Sequence, residues 1–251
     1  MQYTLKKSLG QHFLRDETIC SEIVEAVKEM HPLQLLEIGP GAGAITKYLM
    51  QLDSVDFKAI ELDDEKVAYL QHTYPQLKGK IIHQSFLDAA PPFEGIFHVV
   101  GNFPYNISSQ ILFHILEWKD QVPVVTGMFQ KEVALRVAAK EGSKVYGIIS
   151  VLIQAYYDVE YLFDVHENAF NPPPKVKSGV IRLTRNQSTP LMKSEAHFFR
   201  LVKTAFNQRR KMLRNGVKGL FDDSFLKEDI FSKRAEQLSV EQFAALTFEM
   251  K

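Results

Sequence analysis

Short apolar runs alternate with amphipathic segments through the first two thirds of the chain. Apolar runs bounded by turn residues are typical of buried strands, whereas apolar residues at helical spacing indicate helices. The predicted strands are LQLLEIG (33–39), FKAIEL (57–62), KIIHQ (80–84), IFHVVGN (96–102) and VPVVTGMF (122–129), and the predicted helices are AITKYLMQL (44–52), DDEKVAYLQHTY (63–74) and SQILFHILEW (109–118).

This alternation of strand and helix predicts an α/β fold, in which a parallel sheet carries helices on both faces. In open sheets of this kind, ligands bind at the carboxyl ends of the strands, where the chain order reverses. Functional residues are therefore expected at the predicted strand ends.

The last part of the chain has a different pattern. A polar, proline-ended segment, NQSTP (186–190), is typical of a linker, and the residues beyond it show only helical spacing, as in EAHFFRLVKTAF and VEQFAALTFEM. The sequence thus predicts a first domain over 1–185 and a small helical domain over 191–251.

Composition supports a globular protein of a reducing compartment. The 251 residues are 45% hydrophobic, enough for a substantial core, and the only cysteine, Cys20, excludes an internal disulfide. No apolar stretch is long enough to span a bilayer, so we expect a soluble, cytoplasmic protein without a membrane partner. The histidines are scattered without metal-ligand spacing, so no metal is expected, and a monomer is expected.

The first predicted strand ends in a glycine-rich turn, EIGPGAGAIT (37–46). Gly39, Gly41 and Gly43 allow the backbone to turn sharply and approach a ligand, but Ala44 interrupts the dinucleotide fingerprint. Glu61, at the end of the second strand, has the spacing of an acid that binds ribose hydroxyls. Together these features predict an adenosine-type cofactor; the alternative is an ordinary turn with a solvated acid.

The fourth predicted strand ends in VVGNFPYNISSQ (99–110). An asparagine and a proline followed by serines are common in strand-to-helix turns, so a plain turn is one interpretation. A second one is chemical. The amide oxygen of Asn102 and the carbonyl of Pro104 could accept both hydrogens of an adenine amine, and Tyr105 could stack on that base.

Seven segments stand in the order that one known family has: KKSLGQHFL (6–14), EIGPGAGAIT (37–46), IELD (60–63), GNFPYNIS (101–108), MFQKEVALRV (128–137), FNPPPKVKSGVIRL (170–183) and FNQRRKMLRN (206–215). In these segments the sequence resembles the small-subunit ribosomal RNA adenine dimethyltransferases, also called dimethyladenosine transferases. The resemblance implies a class I methyltransferase fold, with a seven-stranded sheet whose last strand is antiparallel, a small helical domain, and S-adenosylmethionine as cofactor.

The resemblance also implies roles for individual residues. Asn102 would contact both the methyl donor and the target amine, Pro104 would present its carbonyl, and Tyr105 would face the target adenine. Phe170 would pack on the other side of that base, or else it is a core aromatic beside a proline-rich turn. The residues implied to bind the cofactor are His12, Leu14, Gly39, Gly41, Glu61, Ser85 and Asn102.

Two positions depart from the family pattern. Phe103 stands where relatives usually have an aliphatic residue between Asn and Pro, so the target pocket could have a different shape. Ser85 stands where relatives have an aspartate that binds the cofactor's adenine, with Asp88 three residues later. Either residue could replace that aspartate, so this contact is left open.

The implied substrate is a pair of adjacent adenosines, each dimethylated on N6, in a hairpin loop near the 3′ end of small-subunit rRNA within an immature subunit. Lys6 and Lys7 precede any acid in the chain, and a second basic run contains no acid. Such clusters favour phosphate contacts, although a solvated helix face would look similar. The second run contributes Arg209, Arg210, Lys211 and Arg214 to the predicted RNA-binding set.

The sequence leaves three alternatives to a small-subunit dimethyltransferase. One is a related enzyme that methylates an adenine of large-subunit rRNA and confers antibiotic resistance. Another is a ribosome-assembly factor without catalysis. The third, an NAD-dependent oxidoreductase, would need the missing dinucleotide glycine.

Overall fold

The computed structural model describes residues 12–251, which form two compact units. The first contains the described residues up to Ala134 together with Val159–Arg185, and the second contains Leu135–Asp158 and Asn186–Lys251. The chain therefore passes from one unit to the other more than once.

A seven-stranded sheet is the framework of the first unit, accompanied by a two-stranded sheet formed by β1 and β8. Apolar runs form its central strands, which are almost entirely buried. In chain order the strands are β1 (Phe13–Leu14), β2 (Gln34–Ile38), β3 (Asp56–Glu61), β4 (Ile81–His83), β5 (His98–Asn102), β6 (Val124–Gln130), β7 (Tyr157–Val165), β8 (Phe170–Asn171) and β9 (Ser178–Arg185).

The spatial order of the large sheet is β4-β3-β2-β5-β6-β9-β7. Strands β2 to β6 pair in parallel, and β9 pairs antiparallel to β6. From β2 the chain moves outward to β3 and β4, then returns to add β5 on the other side of β2. The order of strands thus reverses between β2 and β5, the point at which such sheets leave a crevice.

Helices follow the strands of the first unit. Helix α1 (Glu17–Lys28) begins after Asp16, whose carboxylate accepts hydrogen bonds from the N–H groups of Thr18 and Ile19. Its apolar face, which includes Ile23 and Val27, is buried. The others are α2 (Thr46–Leu49), α3 (Asp64–Thr73) and α4 (Ser108–Glu117).

Helix α5 (Lys131–Val137) leads from the first unit into the second. The second unit contains α6 (Ile148–Gln154), α7 (Glu195–Asn207), α8 (Leu213–Gly216) and α9 (Val240–Leu246), with several short 3-10 turns. Helix α6 is buried from Ile149 to Ile153 and packs against α7 and α9. Its apolar side is thereby removed from water.

The predicted α/β class, the mainly parallel sheet and the antiparallel last strand are confirmed. The five predicted strands match β2 to β6 to within a few residues. The predicted domain ranges, 1–185 and 191–251, placed residues 135–158 in the first domain, whereas in the structure these residues pack with the second unit. Within residues 12–251, no helix is long and apolar enough to cross a membrane.

Candidate active site

A cavity of about 300 Å³ opens in the first unit where the strand order reverses. Its walls come from the carboxyl ends of β2, β3, β4 and β5 and from the residues around β1. A volume of this order is within the range of small-molecule sites. The predicted site residues that line it are His12, Leu14, Gly39, Gly41, Glu61, Ser85, Asn102, Pro104 and Tyr105.

The glycine-rich turn after β2 forms one wall of the cavity. Gly39 and Gly41 have φ values of 67° and 59°, a left-handed conformation that side chains with a Cβ rarely adopt. The Gly39 N–H donates to the carbonyl of Ile60, which ties the turn to β3. A Cβ at Gly39 would lie 3.9 Å from Cδ of Pro104, so this turn approaches the segment after β5.

Glu61 connects the end of β3 to the glycine-rich turn. Its Oε2 accepts from the N–H of Gly41 at 3.0 Å, and its Oε1 accepts from the N–H groups of Leu62 and Asp63, both at 2.9 Å. Burial raises the pKa of the Glu61 carboxyl, although these backbone donors oppose that effect. The bonds hold the carboxylate in one orientation at the cavity wall, where Oε2 keeps a lone pair for a hydroxyl ligand.

The Asn102 side chain is half-buried at the end of β5 and is oriented by one hydrogen bond. Its Nδ2 donates to the carbonyl of His12 at 3.4 Å. Among residues 12–251 no donor reaches Oδ1, so this oxygen is the available acceptor of the amide. An amide held in this way can accept a hydrogen from an amine in the cavity.

Pro104 lines the cavity, and its carbonyl already accepts a hydrogen bond from the N–H of Ile107 at 3.2 Å. A carbonyl oxygen has two lone pairs, so one further hydrogen bond can be accepted. The Ile107 contact fixes the direction of the carbonyl at the start of α4.

Phe103, the unusual residue of the motif, lies in the sheet core and is fully buried. Its N–H donates to the carbonyl of Met128 at 3.1 Å, and its ring packs on Phe129 at 4.9 Å between centroids. The ring covers Gly101 and Gly127, which are paired across β5 and β6. The missing side chains of these glycines make room for a phenyl ring at this position.

Tyr105 is half-buried, and contacts with two other residues hold its ring. Its hydroxyl lies 2.5 Å from Oγ of Ser178, and the His12 ring stacks on it with centroids 5.5 Å apart. Burial raises the pKa of the Tyr105 hydroxyl, although the Ser178 bond opposes that shift, so the phenol is neutral near pH 7.

The two candidates for the missing aspartate occupy different environments. Ser85 lines the cavity, and its hydroxyl accepts a hydrogen bond from the N–H of Leu87 at 3.2 Å. Asp88 is exposed and does not line the cavity. Ser85 is therefore the better placed of the two to meet a ligand.

Phe170, by contrast, does not reach the cavity. It is 1% exposed and belongs to the same buried cluster as Leu14 and Cys20. Strand β8 pairs Phe170 with Leu14 of β1, and this pairing holds the ring in the core. In the described structure Phe170 is a buried aromatic that does not line the cavity, and its contact with a target base stays a prediction.

The predicted RNA-binding residues fall into several environments. Lys6 and Lys7 lie outside the described residues. In the second unit, Arg210 and Lys211 are exposed and Arg214 is half-buried. Arg209 is half-buried too, and its Nη2 lies 3.1 Å from Oε2 of Glu236. The basic run contains no acidic residue, but Glu236, which is distant in sequence, forms an ion pair with Arg209.

Two residues of the site were missed by sequence reasoning. Ser178 contacts Tyr105, but it is distant in sequence and carries no motif of its own. Lys66 lines the cavity although it is only 2% exposed. A buried lysine in an amphipathic helix has no local signal that separates it from a surface lysine. In the described part of the chain, no group of three or more His, Cys, Asp or Glu side chains could hold a metal ion.

Two solved structures that superpose on the chain are a dimethyladenosine transferase and an rRNA methyltransferase by name. A dimethyladenosine transferase from Plasmodium falciparum superposes with a TM-score of 0.79 at 23% identity and covers 95% of this chain and 97% of its own. The 23S rRNA methyltransferase ErmE superposes with a TM-score of 0.71 at 24% identity and covers 95% and 99%. These likenesses show that the chain has the fold of the class I methyltransferases, with a cavity where the strand order reverses.

Sequence comparison narrows this class to one family. The family described as ribosomal RNA adenine dimethylase matches residues 2–250, and the chain belongs to it. A ribosomal RNA small subunit methyltransferase A from Cytophaga hutchinsonii is 52% identical over 247 residues, which cover 96% of this chain and 95% of the relative. One from Flavobacterium johnsoniae is 55% identical over 246 residues, which cover 96% and 94%.

Proposed function

We propose that this protein transfers methyl groups from S-adenosylmethionine to N6 of two adjacent adenosines in a hairpin loop near the 3′ end of small-subunit rRNA, giving N6,N6-dimethyladenosine. Family membership supports the reaction. Relatives that share 52% and 55% sequence identity with this chain are named small subunit methyltransferases, which supports the small subunit as substrate. The observation that carries the proposal is the Asn102 amide at the cavity wall, with Nδ2 bound to the His12 carbonyl and no donor from residues 12–251 at Oδ1.

The residues of the cavity suit the proposed cofactor. The Gly39–Gly41 turn would lie against its methionine part, and the oriented Glu61 carboxylate would accept from its ribose hydroxyls. Leu14 and Ser85 would complete the walls. S-adenosylmethionine supplies a methyl group on a positively charged sulfur, which is displaced as a neutral thioether.

Adenine N6 is a poor nucleophile because its lone pair is delocalised into the ring. Asn102 Oδ1 and the Pro104 carbonyl would accept its two hydrogens and aim the lone pair at the methyl carbon. The methyl group would pass from sulfur to N6 with its former bonding pair left on sulfur, and N6 would then lose one proton to water. Tyr105 would support the base through its ring face, as aromatic side chains do for bases removed from their stack.

The second unit and the basic N-terminal residues would bind the RNA backbone. Arg210 and Lys211 are exposed and suited to phosphate contacts. Lys6 and Lys7 carry the same positive charge and would serve the same role. Arg214 is the further candidate in this set. Arg209 is better assigned to holding the second unit together, because Glu236 already pairs with it.

The direct test measures transfer of labelled methyl groups from S-adenosylmethionine to small ribosomal subunits from cells that lack this modification. Wild-type protein should yield N6,N6-dimethyladenosine in small-subunit rRNA. Label in large-subunit rRNA alone would favour the antibiotic-resistance type of enzyme. Binding to immature subunits without any methylation would favour an assembly factor.

Asn102→Ala tests the mechanism. Removing one preorganised hydrogen-bonding group typically lowers kcat by about 10²–10³-fold, and we expect a loss of this order with the fold intact. Gln110→Ala is the matched control, because Gln110 is an exposed amide of the same segment and does not line the cavity. Near-normal transfer by folded Asn102→Ala protein would contradict the proposed mechanism.

A further inference from the structure

Ser178 is a buried hydroxyl residue whose side chain contacts the target-base residue. It begins β9 and is fully buried, and its Oγ lies 2.5 Å from the Tyr105 hydroxyl. A buried hydroxyl needs a hydrogen-bond partner, and either of these two groups can donate to the other. Ser178 does not line the cavity, so any influence on the reaction passes through Tyr105.

The position of Ser178 is itself fixed by the sheet. Ser178 pairs with Gln130 across β6 and β9, and the Lys131 N–H donates to the carbonyl of the preceding residue, Lys177, at 2.9 Å. Backbone pairing with the end of β6 therefore holds the main chain of Ser178 in place. Ser178 thus acts as a fixed point for the Tyr105 hydroxyl.

A second contact from the same part of the chain restrains the ring face. The His12 ring stacks on Tyr105 with an angle of 28° between ring planes, and His12 Nδ1 lies 3.0 Å from the carbonyl of Pro172. The segment 172–178 thus reaches Tyr105 at its hydroxyl directly and at its ring face through His12. Both contacts restrict rotation of the tyrosine side chain.

We infer that Ser178 is a positioning residue for the target base, which locks the Tyr105 ring in the orientation that receives the adenine. The inference rests on the proposed function. A preorganised ring avoids the entropy cost of ordering it when RNA binds, so loss of the bond should impair use of the RNA substrate. One hydrogen bond of ordinary net strength corresponds to an effect of about three- to tenfold.

The kinetic test is a double-mutant cycle. Ser178→Ala and Tyr105→Phe each remove one hydroxyl of the pair, and each should lower kcat/KM for under-methylated small subunits by about three- to tenfold. The kcat/KM of the double variant should be no lower than that of the less active single variant, because each substitution removes the same hydrogen bond. Losses that multiply in the double variant would overturn the inference.

Controls separate this effect from general damage. Affinity for S-adenosylmethionine should stay within about twofold in every variant, since Ser178 lies outside the cavity wall. Ser150→Ala removes an equally buried serine hydroxyl from α6 in the second unit, and it should leave kcat/KM per folded molecule unchanged. Ser178→Thr keeps the hydroxyl and should restore activity lost in Ser178→Ala. Failure of the folded Thr variant to restore it would count against the inference.

A spectroscopic arm keeps this inference separable from the proposed function. In protein with ¹³C-labelled tyrosine, the NMR signal that disappears in Tyr105→Phe identifies Tyr105. It should shift or broaden in Ser178→Ala and return in Ser178→Thr, whether or not the wild type methylates rRNA. A Tyr105 signal that is unchanged in Ser178→Ala would overturn the inference, whereas absence of methyl transfer by the wild type would overturn the proposed function alone.

Discussion

At the scale of single residues, Glu37 is a deeply buried carboxyl of the first unit. It lies in β2, is 1% exposed, and has an Oε2 atom without a hydrogen-bond partner in the described structure. Burial raises the pKa of its carboxyl to about 8, with a further contribution from the charge of Glu61. The folded protein therefore keeps Glu37 protonated at pH values at which the unfolded chain ionises it.

This shift makes stability depend on pH. Between the ordinary pKa of 4.5 and about 8, the folded state binds the extra proton, so the free energy of unfolding should fall as pH rises. Glu37→Gln removes this dependence, and the variant should gain on the wild type by up to about 1.4 kcal/mol per pH unit over that window. Urea unfolding of both proteins from pH 5 to pH 8 measures the difference.

Other titrating groups are shared by the two proteins and cancel in that difference. Parallel stability curves for wild type and Glu37→Gln would mean that Glu37 titrates normally in the folded protein. Well below pH 4.5, Glu37 is protonated in both the folded and the unfolded wild type, so the stability difference should no longer change with pH, which provides the internal control.

Residue types at strand ends could be predicted from sequence because they follow local rules. The glycine-rich turn, the acid of β3 and the Asn102–Tyr105 motif each follow an apolar run, and all line one cavity. The pairing of Tyr105 with Ser178 could not be predicted in this way, because it joins residues far apart in sequence. The same reason hid the pairing of Arg209 with Glu236.

At the scale of secondary-structure elements, the paired glycines of β5 and β6 explain Phe103. A Cβ at Gly101 would lie 2.6 Å from the carbonyl oxygen of Ile38, and one at Gly127 would collide with the Phe103 ring and lie 2.7 Å from Cε2 of Phe129. An aromatic ring therefore fits at position 103 only while residues 101 and 127 are both glycine. The motif and the sheet are matched in size.

This match predicts the effect of Gly127→Ala. The added methyl group must displace the Phe103 ring, and the backbone that carries Asn102 and Pro104 moves with it. We expect a loss of about 1–3 kcal/mol in unfolding free energy, as for other overpacked cores, with reduced methyl transfer. Thermal unfolding and transfer assays measure the two effects.

Phe103→Leu in the Gly127→Ala background should recover part of both losses, because the smaller side chain frees space. Gly219→Ala provides a matched control, since a Cβ at Gly219 meets nothing within 4 Å. If Gly127→Ala were as stable and active as Gly219→Ala, Phe103 would not be packed against the sheet as described.

Element boundaries were predicted well where an apolar run was long, as in β2, β5 and β6. The helix predicted over 44–52 is only Thr46–Leu49 in the structure, and no side chain caps its start. Helix α1 and the small β1–β8 sheet lay outside the predicted elements, and that sheet depends on a pairing between distant parts of the chain.

At the scale of the whole molecule, the basic run of the second unit separates into residues for stability and residues for binding. Arg209→Ala should lower the free energy of unfolding by about 1 kcal/mol, since it breaks a half-exposed ion pair with Glu236 and a bond to the carbonyl of Lys144. The Arg210→Ala/Lys211→Ala double variant should keep normal stability and bind rRNA more weakly.

The salt dependence of RNA binding distinguishes the two variants. Each lost phosphate contact reduces the slope of log K against log salt concentration by about 0.7 to 0.9. We expect a reduced slope for the Arg210→Ala/Lys211→Ala variant and an unchanged slope for Arg209→Ala. The reverse pattern would mean that Arg209 is the RNA contact and that its pairing with Glu236 is secondary.

The interleaved path of the chain also limits how this protein can be recombined. Because residues 135–158 pack with the second unit but precede the last strands of the first, no single crossover exchanges one unit intact. A hybrid joined at residue 185 would combine α6 of one parent with α7 and α9 of another, so their buried faces must already be compatible. Recombination between homologous genes is therefore expected to exchange the two units together and not one at a time.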